Sequence, residues 1–99
     1  MWYLIEGFDA ADSLPKRKAN RAAHLARVEA MRDEGRLLVA GPCPAIDASD
    51  PGPAGYTGSV LIVEFASLDE ARRWADADPY LEAGAWARVH VRPFVKVMP

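Results

Sequence analysis

Residues 59–77, SVLIVEFASLDEARRWADA, decide the fold, because strand chemistry gives way to helix chemistry within them. SVLIVEF is dominated by β-branched and other apolar side chains, as befits a strand in the centre of a sheet. Ser67 and Glu70 in SLDE then have the spacing of a capping box, and ARRWADA continues the helix that this box opens. Downstream, WARVHVRPFVKV (86–97) alternates Val89, Val91, Val95 and Val97 with Arg88, His90, Arg92 and Lys96. That period of two predicts a strand with one apolar face, and Pro93 predicts an edge position or a bulge. Upstream, PCPAIDASDPGPAGYTG (42–58) has neither period and reads as a long proline- and glycine-rich loop. RLLVAG before it reads as a strand. Ser13 is the expected N-cap of a helix opened by Leu14 and Pro15 and stopped by Gly35. MWYLIEGF supplies the first strand. The order β-α-β-β-α-β predicts an α+β, ferredoxin-like fold, a four-stranded antiparallel sheet with two helices on one face.

The chain has 99 residues, enough for a single domain spanning 1–99 with a real core. A net charge of −2, with both signs interspersed, supplies no basic field for nucleic acid. No run is long enough to cross a bilayer, and MWYLIEGF is too short and polar for a signal peptide, so a cytoplasmic location is expected. Cys43 is alone, which excludes an internal disulfide or a multi-cysteine metal site. Two histidines and scattered carboxylates show no metal-ligand spacing, and no glycine-rich phosphate cradle joins a strand to a helix. Neither a metal nor a cofactor is expected. Three tryptophans and a sheet covered on one side point to a homodimer through the other face.

Helical phase singles out a few polar residues. At about 100° per residue, Leu68, Ala71, Trp74 and Ala75 form the inward stripe of the second helix. Asp78, four positions beyond Trp74, continues that stripe, whereas Asp76 belongs to the solvated face. Pro79 makes Asp78 the end of the helix, leaving its carboxylate at the rim of the core in need of a partner. In the first helix Leu14, Leu25, Val28 and Met31 mark the inward stripe. Arg17, Arg21 and His24 fall within it, while Lys16, Arg27 and Glu34 fall outside. Two arginines and an imidazole on one edge suit an anion or a polarised oxygen.

These positions support a His24–Asp78 dyad, with Asp78 fixing the imidazole tautomer and the free ring nitrogen acting as base or acid. Arg21 and Arg17 are the candidate substrate-binding cations, and the proline- and glycine-rich loop is a candidate cover. The competing structural interpretation is an Arg21–Asp78 ion pair across the helices, with His24 a bystander. His90, between Arg88 and Arg92, reads as part of a solvated or interface row. Cys43 reads as a plain buried thiol. Trp2, Tyr3, Trp74 and Trp86 read as core or interface aromatics.

RAAHLARVEAMRDEGRLLVAGP (21–42), DPGPAGYTGSVLIVEF (50–65), WADADPYLEAGAW (74–86) and VRPFVKV (91–97) together resemble the YciI-like (YCII) family of small bacterial proteins over nearly the whole chain. The resemblance implies a ferredoxin-like fold assembled as a dimeric α+β barrel. It also implies an active site built on a histidine and an aspartate, which fall on His24 in RAAHL and Asp78 in DPY. Arg21, Gly41 and Pro42 match the family pattern around that pocket, and Tyr80 of DPY joins them as a substrate-binding residue. Cys43 departs from the pattern, since methionine or leucine suits that position equally. One related member is a dehydrochlorinase acting on a chlorinated hydroquinone. The function expected is acid–base catalysis without a cofactor, lyase-like or isomerase-like, on a small anionic or phenolic molecule. The alternatives are a metabolite-sensing dimer using the same pocket and a structural dimer held by an inter-helix ion-pair network.

Overall fold

The computed structural model describes residues 1–99. Strand β1 (Trp2–Asp9) leads to helix α1 (Leu14–Asp33), then β2 (Leu37–Pro44), a 3-10 turn at Gly52–Ala54, β3 (Tyr56–Glu64), α2 (Leu68–Asp76), the short α3 (Pro79–Glu82) and β4 (Trp86–Phe94). The strands pair antiparallel in the order β2-β3-β1-β4. This is the ferredoxin-like arrangement expected from the order of elements.

Period-two alternation sorts the sheet into two faces. Ile5 lies opposite Leu61 and Val91, and Tyr3 opposite Val63, so these residues face the helices. With Val28 and Met31 of α1, and Ala71 and Ala75 of α2, they form the core. Trp86, also in the core, lies flat against Gly7: a Cβ there would come within 2.3 Å of the indole. The opposite face presents Leu4, Val60, Ile62 and Val39 beside Glu6, His90 and Arg92, with no element over it.

The helix ends follow from their sequences. Gly35, at φ +72, closes α1. Its N–H reaches the Arg32 carbonyl and the Arg36 N–H the Met31 carbonyl, both at 2.9 Å, the two bonds of a Schellman cap. Ser67 Oγ accepts the Glu70 N–H at 3.2 Å, and Glu70 returns a bond to the Ala66 N–H. Ser13 departs from expectation. It occupies the N-cap position of α1 with helical dihedrals, and its hydroxyl donates to Asp9 instead of accepting from the helix.

Three expectations are corrected. The loop is shorter than 42–58, because β2 runs through Pro44 and β3 begins at Tyr56. As an edge strand, β2 tolerates Pro42 and Pro44, which have no N–H to offer. The last strand stops at Phe94, leaving Val95 and Val97 70% and 82% exposed; Pro93 does sit on an edge strand, as expected, while the irregularity in the β1–β4 ladder is at Phe8/Asp9. Finally, α3 is an additional helix in the stretch after Asp78. No helix is long and apolar enough to cross a membrane.

Candidate functional site

Helix α2 ends at Asp76, so Asp78 does not turn inward by continued helical phase. It adopts extended dihedrals (φ −64°, ψ 131°) as the N-cap of α3, and Oδ1 accepts the Tyr80 N–H at 2.9 Å. Capping and burial therefore act together, and Asp78 is only 1% exposed. From α1, His24 Nδ1 stands 2.9 Å from both carboxylate oxygens. A carboxylate can only accept, so Nδ1 carries the proton, and in the neutral imidazole the lone pair then lies on Nε2. The imidazole is stacked on Tyr80 (4.1 Å, 10° between planes) and meets the Trp86 ring edge-on. Nε2 makes no hydrogen bond within the chain and is not sealed from solvent.

Arg27, expected on the solvated side of α1, is instead the second partner of Asp78. Nη1 lies 3.4 Å from Oδ2, Nη2 donates to the Trp74 carbonyl, and the guanidinium sits 4.3 Å over the Trp74 ring. Burial pushes its pKa below the usual arginine value, against the pull of Asp78 and Glu82. The Arg21–Asp78 ion pair of the structural interpretation is replaced by this contact.

Arg17 is already matched. Nε and Nη2 form a fork on Asp9, both at 2.7 Å, and Nη2 also donates to the Gly58 carbonyl and Ser59 Oγ. Burial opposes this charge, but the hydrogen bond and charge of Asp9, helped by Tyr80 and Tyr56, hold the Arg17 pKa above its usual value. Arg21 differs: it is exposed and forms no ion pair, leaving a free cation on the same helix edge.

These side chains line one cleft of about 1520 Å³ between α1, the edge of β2, the 3-10 turn and α3. His24, Arg17, Arg21 and Tyr80 form one side. Gly41 and Pro42 form part of the other, with Pro42 in register opposite Ser59. All seven residues singled out for this site converge there, Asp78 from behind His24. Burial raises the Tyr80 pKa more than Arg17 and Arg21 lower it, so its hydroxyl stays protonated at neutral pH and can donate to a ligand. No group of three or more histidine, cysteine, aspartate or glutamate side chains is gathered as metal ligands. Cys43 is half-buried on β2, and His90 is exposed on the open sheet face against Phe8.

Asp9 and Arg27 were not legible as site residues. Arg27 follows His24 by three positions, one helical turn, which is the only local hint that both reach one partner. Asp9 carries no such signal, since its pairing with Arg17 depends on how β1 meets α1.

The YCII-related domain profile matches residues 1–95. A protein named YciI from Escherichia coli is 59% identical over 97 residues, covering 98% of this chain and 99% of its own. An uncharacterised Haemophilus influenzae protein is 50% identical over the same shares. Among solved structures, that of 5-chloro-2-hydroxyhydroquinone dehydrochlorinase (TftG) from Burkholderia phenoliruptrix, in complex with 2,5-dihydroxybenzoquinone, superposes with a TM-score of 0.81. It is 33% identical and covers 96% of this chain and 94% of that one.

Proposed function

The chain belongs to the YCII-related domain family, and from that premise we propose that it catalyses a lyase-like or isomerase-like proton transfer on a small anionic or phenolic molecule. The observation that carries this is a buried His24–Asp78 pair whose free Nε2 reaches an open cleft. A purely structural ion-pair network needs no such opening.

Nε2 takes a proton from the bound molecule, and Asp78 stabilises the imidazolium that forms. In an elimination, the electron pair left behind forms the new π bond as the leaving group departs with its own pair. In an isomerisation, Nε2 returns the proton to a different atom. Arg21, an arginine without an ion pair, holds the negative oxygen. Tyr80, kept neutral by burial, donates its hydroxyl. These groups suffice for the chemistry without a cofactor. The likeness to a dehydrochlorinase seen with a dihydroxybenzoquinone supports a small oxygenated ring as ligand.

Assays of the purified protein with chlorinated hydroxyhydroquinones and hydroxylated benzoquinones test the reading. We expect turnover that falls about 10²- to 10⁴-fold in His24→Asn, with ligand binding kept. Binding without turnover by the parent protein assigns the cleft to a metabolite sensor, and neither binding nor turnover sinks both readings.

We further propose that two copies associate through the apolar open face of the sheet. A single free cysteine suits a reducing compartment, and the cytoplasm is the proposed location.

A further inference from the structure

A carboxylate as deeply buried as Asp78 requires a counter-charge, and two groups compete to supply it. His24 can do so only as an imidazolium, in which form it has no lone pair with which to act as a base. Arg27 can do so permanently, because a guanidinium does not lose its proton in the working range. We infer that Arg27 is a positioning residue that neutralises Asp78 so that His24 rests as the neutral, Nδ1-protonated imidazole. The inference rests on the acid–base reading of the site.

The geometry carries it. Arg27 Nη1 is buried with no hydrogen-bond partner and lies 3.4 Å from Asp78 Oδ2, so the carboxylate is the group that matches its charge. The Trp74 carbonyl and ring fix the rest of the guanidinium from α2. His24 and Arg27, one turn apart on α1, approach the same carboxylate from adjacent positions. The charged and titratable groups around the imidazole are few. Asp78 and Tyr80 face it from α3, with Arg17 beyond Tyr80, and Arg21 stands on its own helix. Glu82 faces Arg27. Trp86 meets the imidazole from β4 and carries no charge. Asp78 is thus the only anion against the ring, and Arg27 the only permanent cation against Asp78. Removing Arg27 leaves the negative charge unmatched 2.9 Å from Nδ1 and draws a proton onto His24.

The test is a pH titration of the His24 ring nitrogens by NMR in Arg27→Gln, Arg27→Met and Arg27→Lys. In the two neutral variants the His24 midpoint should rise by about one pH unit or more, while Arg27→Lys stays close to the parent protein. Where turnover is measurable, kcat/KM at neutral pH should fall about tenfold in the neutral variants and recover as pH rises, with KM unchanged. Coincident titrations in parent and neutral variants overturn the inference. So does a result in which both neutral variants fail to fold while Arg27→Lys folds with the parental titration, which confines the charge to stability. The NMR readout needs no substrate, so it stands if no turnover is found. An unmoved titration alongside loss of turnover in His24→Asn removes the role of Arg27 and leaves the acid–base reading intact.

Discussion

His24 depends on a carboxylate 54 positions away in the chain, and the polar residues around it divide by whether their charges are already matched. Arg17 is matched by Asp9 and Arg27 by Asp78, so of these three arginines Arg21 is the one left for a ligand. Asp9→Ala should therefore harm the fold more than the ligand site. It strands Arg17, which is 6% exposed, and should cost about 3–5 kcal/mol by urea denaturation. A loss below about 1 kcal/mol would mean that solvent reaches the guanidinium after all. Tyr80 gives a pH dependence. Burial lifts its phenol above the ordinary 10.0, so the folded chain keeps a proton that the unfolded chain has lost. Stability should then fall as pH rises through and beyond that value, and Tyr80→Phe should flatten the fall. The inward turn of His24 was legible from helical phase, whereas the phase argument for Asp78 gave the right direction for the wrong reason. Arg27 was misjudged because a long side chain at the flank of a stripe can reach back over the core edge.

Strand and helix identities were readable because each element satisfies its own periodicity, and the ends of β2 and β4 were not. A proline-rich segment reads as loop until the sheet order makes it an edge, and a valine alternation reads as strand until no neighbour is there to pair with it. Asp78 shows the same limit. Its inward direction came out right, but through the N-cap of α3 and not through the phase of α2, which ends two residues earlier. Two of the three strand glycines have distinct jobs, since Gly7 makes room for Trp86 while Gly58 lies under the backbone of β1. A Cβ at 58 would fall 2.2 Å from the Gly7 carbonyl oxygen, in the middle of the sheet. Gly58→Ala should accordingly destabilise by about 2–3 kcal/mol or more, as overpacking a rigid site does. At Gly35 the cost is conformational only, so Gly35→Ala should lose about 1 kcal/mol. Comparable denaturation midpoints for the two variants would show that the strands slide apart without penalty.

For the whole molecule, the open sheet face is the feature that one chain does not resolve by itself. Val39, 51% exposed on the edge strand, lies beside Ile62 of β3 on that face. If two copies meet there, Val39→Lys should turn a dimer into a monomer in sedimentation with an unchanged circular dichroism spectrum; a parent protein that sediments as a monomer removes the proposal. The sequence by itself determined the order of elements, the ferredoxin-like topology and the inward edge of α1, because these follow from periodicity and capping within short windows. Only the tertiary structure decided which charge meets which: Arg17 with Asp9, Arg27 with Asp78, and Arg21 with none. The physical reason is that ion pairing in a core is set by distances between residues far apart in the chain, and no local pattern encodes those distances.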